Sequence, residues 1–129
     1  MRFLLDTHVL VWAAVQPSRL PKVVRAAIED ADVRLISAAS AYEIGFKHGI
    51  GKLPGGSEIL ANWQPLAAGL LAEDLPLTVS QMAAAGALRW EHRDPFDRML
   101  VAQAQTESLT LVTADRRIRS FGDVRTYWA

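Results

Sequence analysis

The chain has no cysteine, no long hydrophobic run and no excess of charge of either sign. Without Cys, disulfides, zinc knuckles, iron–sulfur ligation and thiol nucleophiles are excluded, so any metal must be held by oxygen or imidazole. The longest apolar run, Val9 to Val15, is about a third of the ~20 residues a spanning helix needs, which argues against a membrane partner. The start imitates a secretory signal, with Arg2 ahead of Phe3-Leu4-Leu5. Asp6, Thr7 and His8 then cut the apolar stretch in two, and a signal's core would not carry an aspartate. The expected location is the cytoplasm. What is present is 129 residues, 50% of them hydrophobic, with 14 Lys and Arg against 14 Asp and Glu. That suits one domain spanning 1–129, without repeats or a linker.

The pattern predicts short apolar strands at 2–5, 33–36, 75–79 and 109–113, with an edge strand at 124–128. Helices are expected over 8–14, from Pro21 to about Ile28, from Ser37 as cap to about His48, and over 58–71 with a break at Pro65. Further helices are expected from Ser80 as cap to Arg89, from Asp94-Pro95 to Glu107, and over 116–120. Strands separated by helices imply a mostly parallel central sheet flanked by helices on both faces, a three-layer α/β fold.

Ligands in such sheets bind beyond the carboxyl ends of the strands, where two strands here end in aspartate, Asp6 and Asp115. Either alone reads as a turn and cap residue. A third acid, Asp97, shares an inward-facing helical stripe with Leu100, Val101 and Ala104, while Asp94 reads as the cap of that helix. Glu43 lies in an otherwise apolar helix behind the small residues Ser37 to Ser40. Four carboxylates at one end of a sheet repel one another unless a cation lies among them, and oxygen donors suit Mg²⁺ or Mn²⁺. Such clusters serve phosphoryl transfer or phosphodiester hydrolysis, in which the metal activates water and stabilises charge on the phosphate.

With those four acids neutralised by metal, 14 basic groups face 10 acidic ones, and eleven of the 14 are arginine. Arg93 and Arg98 bracket Asp97, and Arg116 and Arg117 follow Asp115. Arginines in these places suit a nucleic-acid backbone. A nucleotide-binding loop is absent, because Gly45, Gly51 and Lys52 are misspaced and Leu53 stands where Ser or Thr is needed. No His pair has metal spacing, so His8, His48 and His92 read as hydrogen-bonding or surface residues. The tryptophans read as core or interface.

Four segments in order, Leu4-Leu5-Asp6-Thr7-His8, Ser40-Ala41-Tyr42-Glu43-Ile44 with Lys47, His92-Arg93-Asp94-Pro95-Phe96-Asp97-Arg98, and Leu111-Val112-Thr113-Ala114-Asp115, resemble the PIN-domain ribonucleases. More narrowly, they resemble the VapC toxins of bacterial toxin–antitoxin pairs. The resemblance implies a PIN-like fold, an Mg²⁺- or Mn²⁺-dependent endoribonuclease with an RNA substrate, and a metal-binding catalytic quartet at Asp6, Glu43, Asp97 and Asp115. It also implies supporting hydrogen bonds from Thr7 and Thr113, a water-mediated metal contact from Asp94, a VapB-like antitoxin partner and a homodimer. Two alternatives stay open: an Mg²⁺-binding phosphoacceptor domain, which would need an acidic pair where Asp6 stands alone beside Thr7, and a catalytically silent module on the same fold.

Overall fold

The computed structural model describes residues 1–129. Its centre is β1 (Arg2–Leu5), whose Phe3, Leu4 and Leu5 are all fully buried. A strand can be apolar throughout only when both faces of its sheet are covered, which is the condition of a parallel sheet with helices on either side.

The chain then adds α1 (Thr7–Val15), a 3₁₀ turn at Pro17–Arg19, α2 (Lys22–Asp30), β2 (Val33–Ser37), α3 (Ala38–Gly49), α4 (Gly56–Ala61), α5 (Trp63–Gly69) and β3 (Glu73–Leu75). It continues through α6 (Val79–Ala87), α7 (Pro95–Thr106), β4 (Thr110–Val112), α8 (Arg116–Phe121) and β5 (Thr126–Tyr127). All strands are parallel, in the order β3-β2-β1-β4-β5, with Leu4 paired to Leu35 on one side and Leu111 on the other. The first half of the chain therefore builds outward from β1 in one direction and the second half in the other. The carboxyl ends of β1 and β4 flank the point where the order reverses, which is where open α/β sheets leave a crevice.

Two cores fill the layers. Phe3, Leu5, Ile36 and Val112 pack beneath Val9, Val24, Ile28 and Ile44, and Leu4 and Leu111 pack beneath Leu100, Val101, Ala104 and Ile118 on the opposite face. Gly56 lets α4 approach α3, since a Cβ there would lie 2.8 Å from His48 Cβ.

The expected elements are present, with three shifts. The third strand ends at Leu75, because Pro76 has no N–H to donate to a ladder. Val79 instead opens α6, whose cap is Thr78 rather than Ser80; the Thr78 hydroxyl and the Gln81 amide form a reciprocal capping box, and α6 stops at Ala87. The helical stretch after Gly55 starts at Gly56 and breaks at Asn62, which leaves Pro65 in the first turn of α5, where its missing N–H costs nothing.

Arg98 is a correction to the phosphate-binding set. Its guanidinium donates to the carbonyls of Ala85, Gly86, Leu88, Trp90 and His92 at 2.7–3.3 Å. Those carbonyls belong to the end of α6 and the irregular segment that follows, where no ladder or helix satisfies them, so Arg98 pins this segment to α7. Arg98→Met should lower unfolding free energy by about 2–4 kcal/mol, because it orphans several carbonyls at once. Urea titration tests this, and Arg116→Gln, at an exposed position, should stay within about 0.5 kcal/mol of wild type.

Candidate active site

Asp6 closes β1 and caps α1, so its position follows from strand and helix together. Its Oδ1 accepts from the Thr7 backbone N–H at 2.7 Å and its Oδ2 from the Thr113 hydroxyl at 2.6 Å. The same Thr113 oxygen accepts the Asp115 N–H at 3.0 Å, so one hydroxyl couples the two strand ends. His8 Nε2 accepts from the Ala114 N–H at 3.2 Å, which leaves Nδ1 to carry the proton that faces Asp6 Oδ2 at 3.3 Å. Asp115 caps α8 through Oδ1, which accepts from the N–H groups of Arg117 and Ile118.

Glu43 comes from α3, which begins at the end of β2 under the Ser37 cap. The hydroxyls of Thr7 and Ser40 lie 2.9 Å apart, joining the start of α1 to the turn of α3 that precedes Glu43. Lys47, one turn further on, donates to Glu43 Oε2, whereas Oε1 is buried with no hydrogen-bond partner. Asp94 caps α7 by accepting from the N–H groups of Phe96 and Asp97. Leu100, Val101 and Ala104 are buried in the second core, and Asp97, on the same stripe, lines the cavity at the strand ends.

The four acids expected at the site therefore meet. Asp6, Glu43, Asp97 and Asp115 line one cavity of about 220 Å³, together with Asp94, Thr7, His8 and Lys47. Thr113 supports it from below without lining it. The cap reading of Asp6, Asp94 and Asp115 and the site reading hold together: in Asp6 and Asp115 the cap fixes the carboxylate at the mouth of the crevice.

His92 is the residue that sequence reasoning undervalued. It lies in the segment pinned by Arg98; Arg117 donates to its Nδ1 at 3.1 Å, so Nε2 carries the proton donated to Asp97 Oδ2 at 2.6 Å. His92, Asp94 and Asp97 also bring one ligand atom each within 4.8 Å of one another. The available signal was its place two residues before the Asp94 cap. Lys47 is the second such residue, and its i,i+4 spacing from Glu43 was visible. Arg93, Arg116 and Arg117 are exposed, and none of them lines the acidic cavity.

The electrostatics are those of a crowded acidic site. Burial pushes Asp97 up to about 7; the His92 hydrogen bond works against this, and the charges of Asp6, Asp94 and Asp115 reinforce it. Burial also raises Asp6, against the pull of His8, Thr113 and Thr7. Lys47 is partly desolvated, yet the Glu43 carboxylate and the charges of Asp94 and Asp97 hold its ammonium above the usual lysine range. An all-oxygen donor set with an orphaned buried carboxylate oxygen fits a hard divalent cation, which would both neutralise the acids and give Glu43 Oε1 a partner.

The PIN domain family model matches residues 3–124 of the chain. The chain is 35% identical to Ribonuclease VapC22 of Mycobacterium tuberculosis, over 91% of its own length and 89% of that protein. Among solved structures, the DNA-bound VapBC of Salmonella typhimurium superposes with a TM-score of 0.73 at 20% identity, covering 98% of this chain and 97% of that one. VapBC2 of Rickettsia felis, bound to a promoter DNA fragment, superposes with a TM-score of 0.71 at 17% identity over the whole of both chains.

A raised carboxyl pKa in the folded state makes stability highest when that group is protonated, so stability is lost as pH rises through the folded value. With chelator present, unfolding free energy should fall between about pH 4 and pH 7, by at most about 1.4 kcal/mol per pH unit for each proton involved. Asp97→Asn should flatten much of this slope, with Asp6 supplying the remainder. Asp94→Ala should instead cost ~1 kcal/mol at every pH through loss of the α7 cap. Denaturant titrations across this pH range check all three, and an undiminished slope in Asp97→Asn would contradict the electrostatic assignment.

Proposed function

The chain belongs to the PIN domain family, and from that premise we propose that it is a divalent-metal-dependent endoribonuclease, the toxin of a toxin–antitoxin pair. The observation that carries this reading is the convergence of Asp6, Glu43, Asp97 and Asp115 on one cavity, with Glu43 Oε1 buried and unpartnered. Relatedness to a protein named as a ribonuclease supports it from the side of sequence.

Asp6, Glu43, Asp97 and Asp115 would hold Mg²⁺ or Mn²⁺, with Asp94 contributing through water. Such an ion, when bound, supplies charge stabilisation to a phosphodiester under attack by water. The protein's own part is positioning. Thr113 and the Thr7 N–H keep Asp6 in one rotamer, and the Asp115 cap fixes that carboxylate relative to α8. His92 holds Asp97 through its hydrogen bond to Oδ2. Lys47 balances the acids and stands where a phosphate would approach them. Arg93, Arg116 and Arg117 remain as phosphate-contacting candidates, and Arg98 does not.

The proposed protein partners are a VapB-like antitoxin and a second copy of the chain. Val11, Val15, Leu53, Ile59 and Leu66 line an apolar cavity of about 430 Å³ beside the acidic one, which suits an antitoxin segment crossing the site.

Purified chain, free of any partner, should cleave RNA with Mg²⁺ or Mn²⁺ and stop with EDTA. Asp6→Asn should lose at least about 100-fold in rate while remaining folded. Expression of the chain alone should arrest growth, and coexpression of the neighbouring gene should relieve the arrest. Cleavage that persists in EDTA would defeat the metal-dependent reading, and harmless expression would remove the toxin role.

A further inference from the structure

A second cavity is larger than the acidic one. It is an open groove of about 910 Å³ between the segment after α6 and the C-terminal end of α8, lined by Arg89, Trp90, His92, Arg117 and Phe121 among others. We propose that this groove is a binding subsite for an unpaired nucleotide of the RNA, next to the phosphodiester that is cut. The proposal rests on the ribonuclease reading of the acidic cavity and extends it to where the strand lies.

Three observations carry it. First, one hydrogen bond links groove and acidic cavity: His92, which lines the groove and receives a hydrogen bond from Arg117, donates to Asp97, which lines the cavity. A strand whose phosphate sits at the carboxylates thus has the groove one side chain away. Second, the groove offers π surface. Trp90 and Phe121 stack at 4.6 Å between centroids, and both remain partly exposed. Stacking on aromatic rings is how proteins hold unpaired bases irrespective of sequence, and a base inside a duplex has no free face to offer.

Third, the cations of the groove carry no ion pair. Arg117 reaches the His92 ring as its side-chain partner, and neither Arg89 nor Arg117 has a carboxylate within 4.0 Å, although Glu91 and Asp123 line the same groove. Arg98 shows the contrast, since carbonyls occupy its guanidinium and it pins the wall that carries Trp90 and His92. The ligand class that uses a guanidinium without a carboxylate partner and an aromatic ring side by side is a nucleotide, with phosphate on the cation and base on the ring. Glu91 and Asp123 repel a second phosphate and can accept hydrogen bonds from base amino groups, so the groove fits one nucleotide better than a duplex backbone.

The test is equilibrium binding of a fluorescent single-stranded RNA octamer to the whole chain in EDTA, with cleavage assayed separately in Mn²⁺. Arg117→Gln should weaken binding about tenfold and lower the salt slope by about one unit. Trp90→Leu should weaken it about tenfold without altering the salt slope, and Trp90→Phe should recover most of that loss. An RNA duplex of the same sequence should compete at least about tenfold more weakly than the single strand. Wild-type cleavage together with unchanged binding in Arg117→Gln and Trp90→Leu would overturn the groove assignment and leave the ribonuclease reading intact. Absence of both binding and cleavage in wild type would overturn the two together.

Discussion

Burial of several carboxylates in one cavity, compounded by the like-charge repulsion among them, is the constraint around which this structure is organised. Asp6, Glu43 and Asp97 are largely withdrawn from water, and burial makes the charged forms of Asp6 and Asp97 costly. The fold sustains them because every acid is tied to something rigid. Asp6 and Asp115 are helix caps at the ends of adjacent strands, linked through the Thr113 hydroxyl. Glu43 is held by Lys47 on its own helix, and Asp97 is held by His92 from a segment that Arg98 anchors. A site in which apo stability is given up so that charge is concentrated is a site arranged for a cation.

The strand order gives the repulsion its location. Because β1 is central and the chain builds away from it in both directions, the ends of β1 and β4 face an open crevice, and α3 and α7, which pack into cores on opposite faces of the sheet, meet through Phe96 against Tyr42 and Phe46. Acids from two strand ends and two helices then meet without any long loop. The groove beside Trp90 and Arg117 extends the same crevice on the α8 side, and the apolar cavity beside Val11 and Leu53 extends it on the α4 side. The proposed chemistry, strand path and partner contact would thereby lie together at the carboxyl end of the sheet.

Most of the architecture was legible because its signals are local. Phe3-Leu4-Leu5-Asp6 reads as a buried strand with a turn, and Asp94-Pro95 reads as a helix start, from neighbouring residues alone. Leu75-Pro76-Leu77-Thr78-Val79 misleads because its alternation mimics a strand, whereas Pro76 ends the ladder and the Thr78–Gln81 box starts a helix. The Thr-x-x-Gln spacing was in the sequence and carried the correction. Asp6, Asp115 and Asp97 were legible as candidates through strand ends and one helical stripe, and Glu43 as the lone acid of an otherwise apolar helix. Of their partners, Thr7 and Thr113 came from the resemblance and Lys47 stood at a visible i,i+4 spacing, but His92 and the anchoring role of Arg98 were not legible. His92 meets Asp97 only because an irregular segment folds back, and Arg98 is consumed by carbonyls whose lack of partners is a tertiary fact. Sequence placed the acids, and long-range packing decided what holds them.

The central claim is that Asp6, Glu43, Asp97 and Asp115 together form one divalent-cation site. Crystals of the chain soaked in Mn²⁺ and measured at an X-ray energy where manganese scatters anomalously test it directly. The account predicts an anomalous peak inside the cavity, within coordination distance, ~2.0–2.3 Å, of carboxylate oxygens from at least two of the four and reaching Asp6. A peak confined to His92, Asp94 and Asp97, or none in the cavity at saturating Mn²⁺, would contradict it.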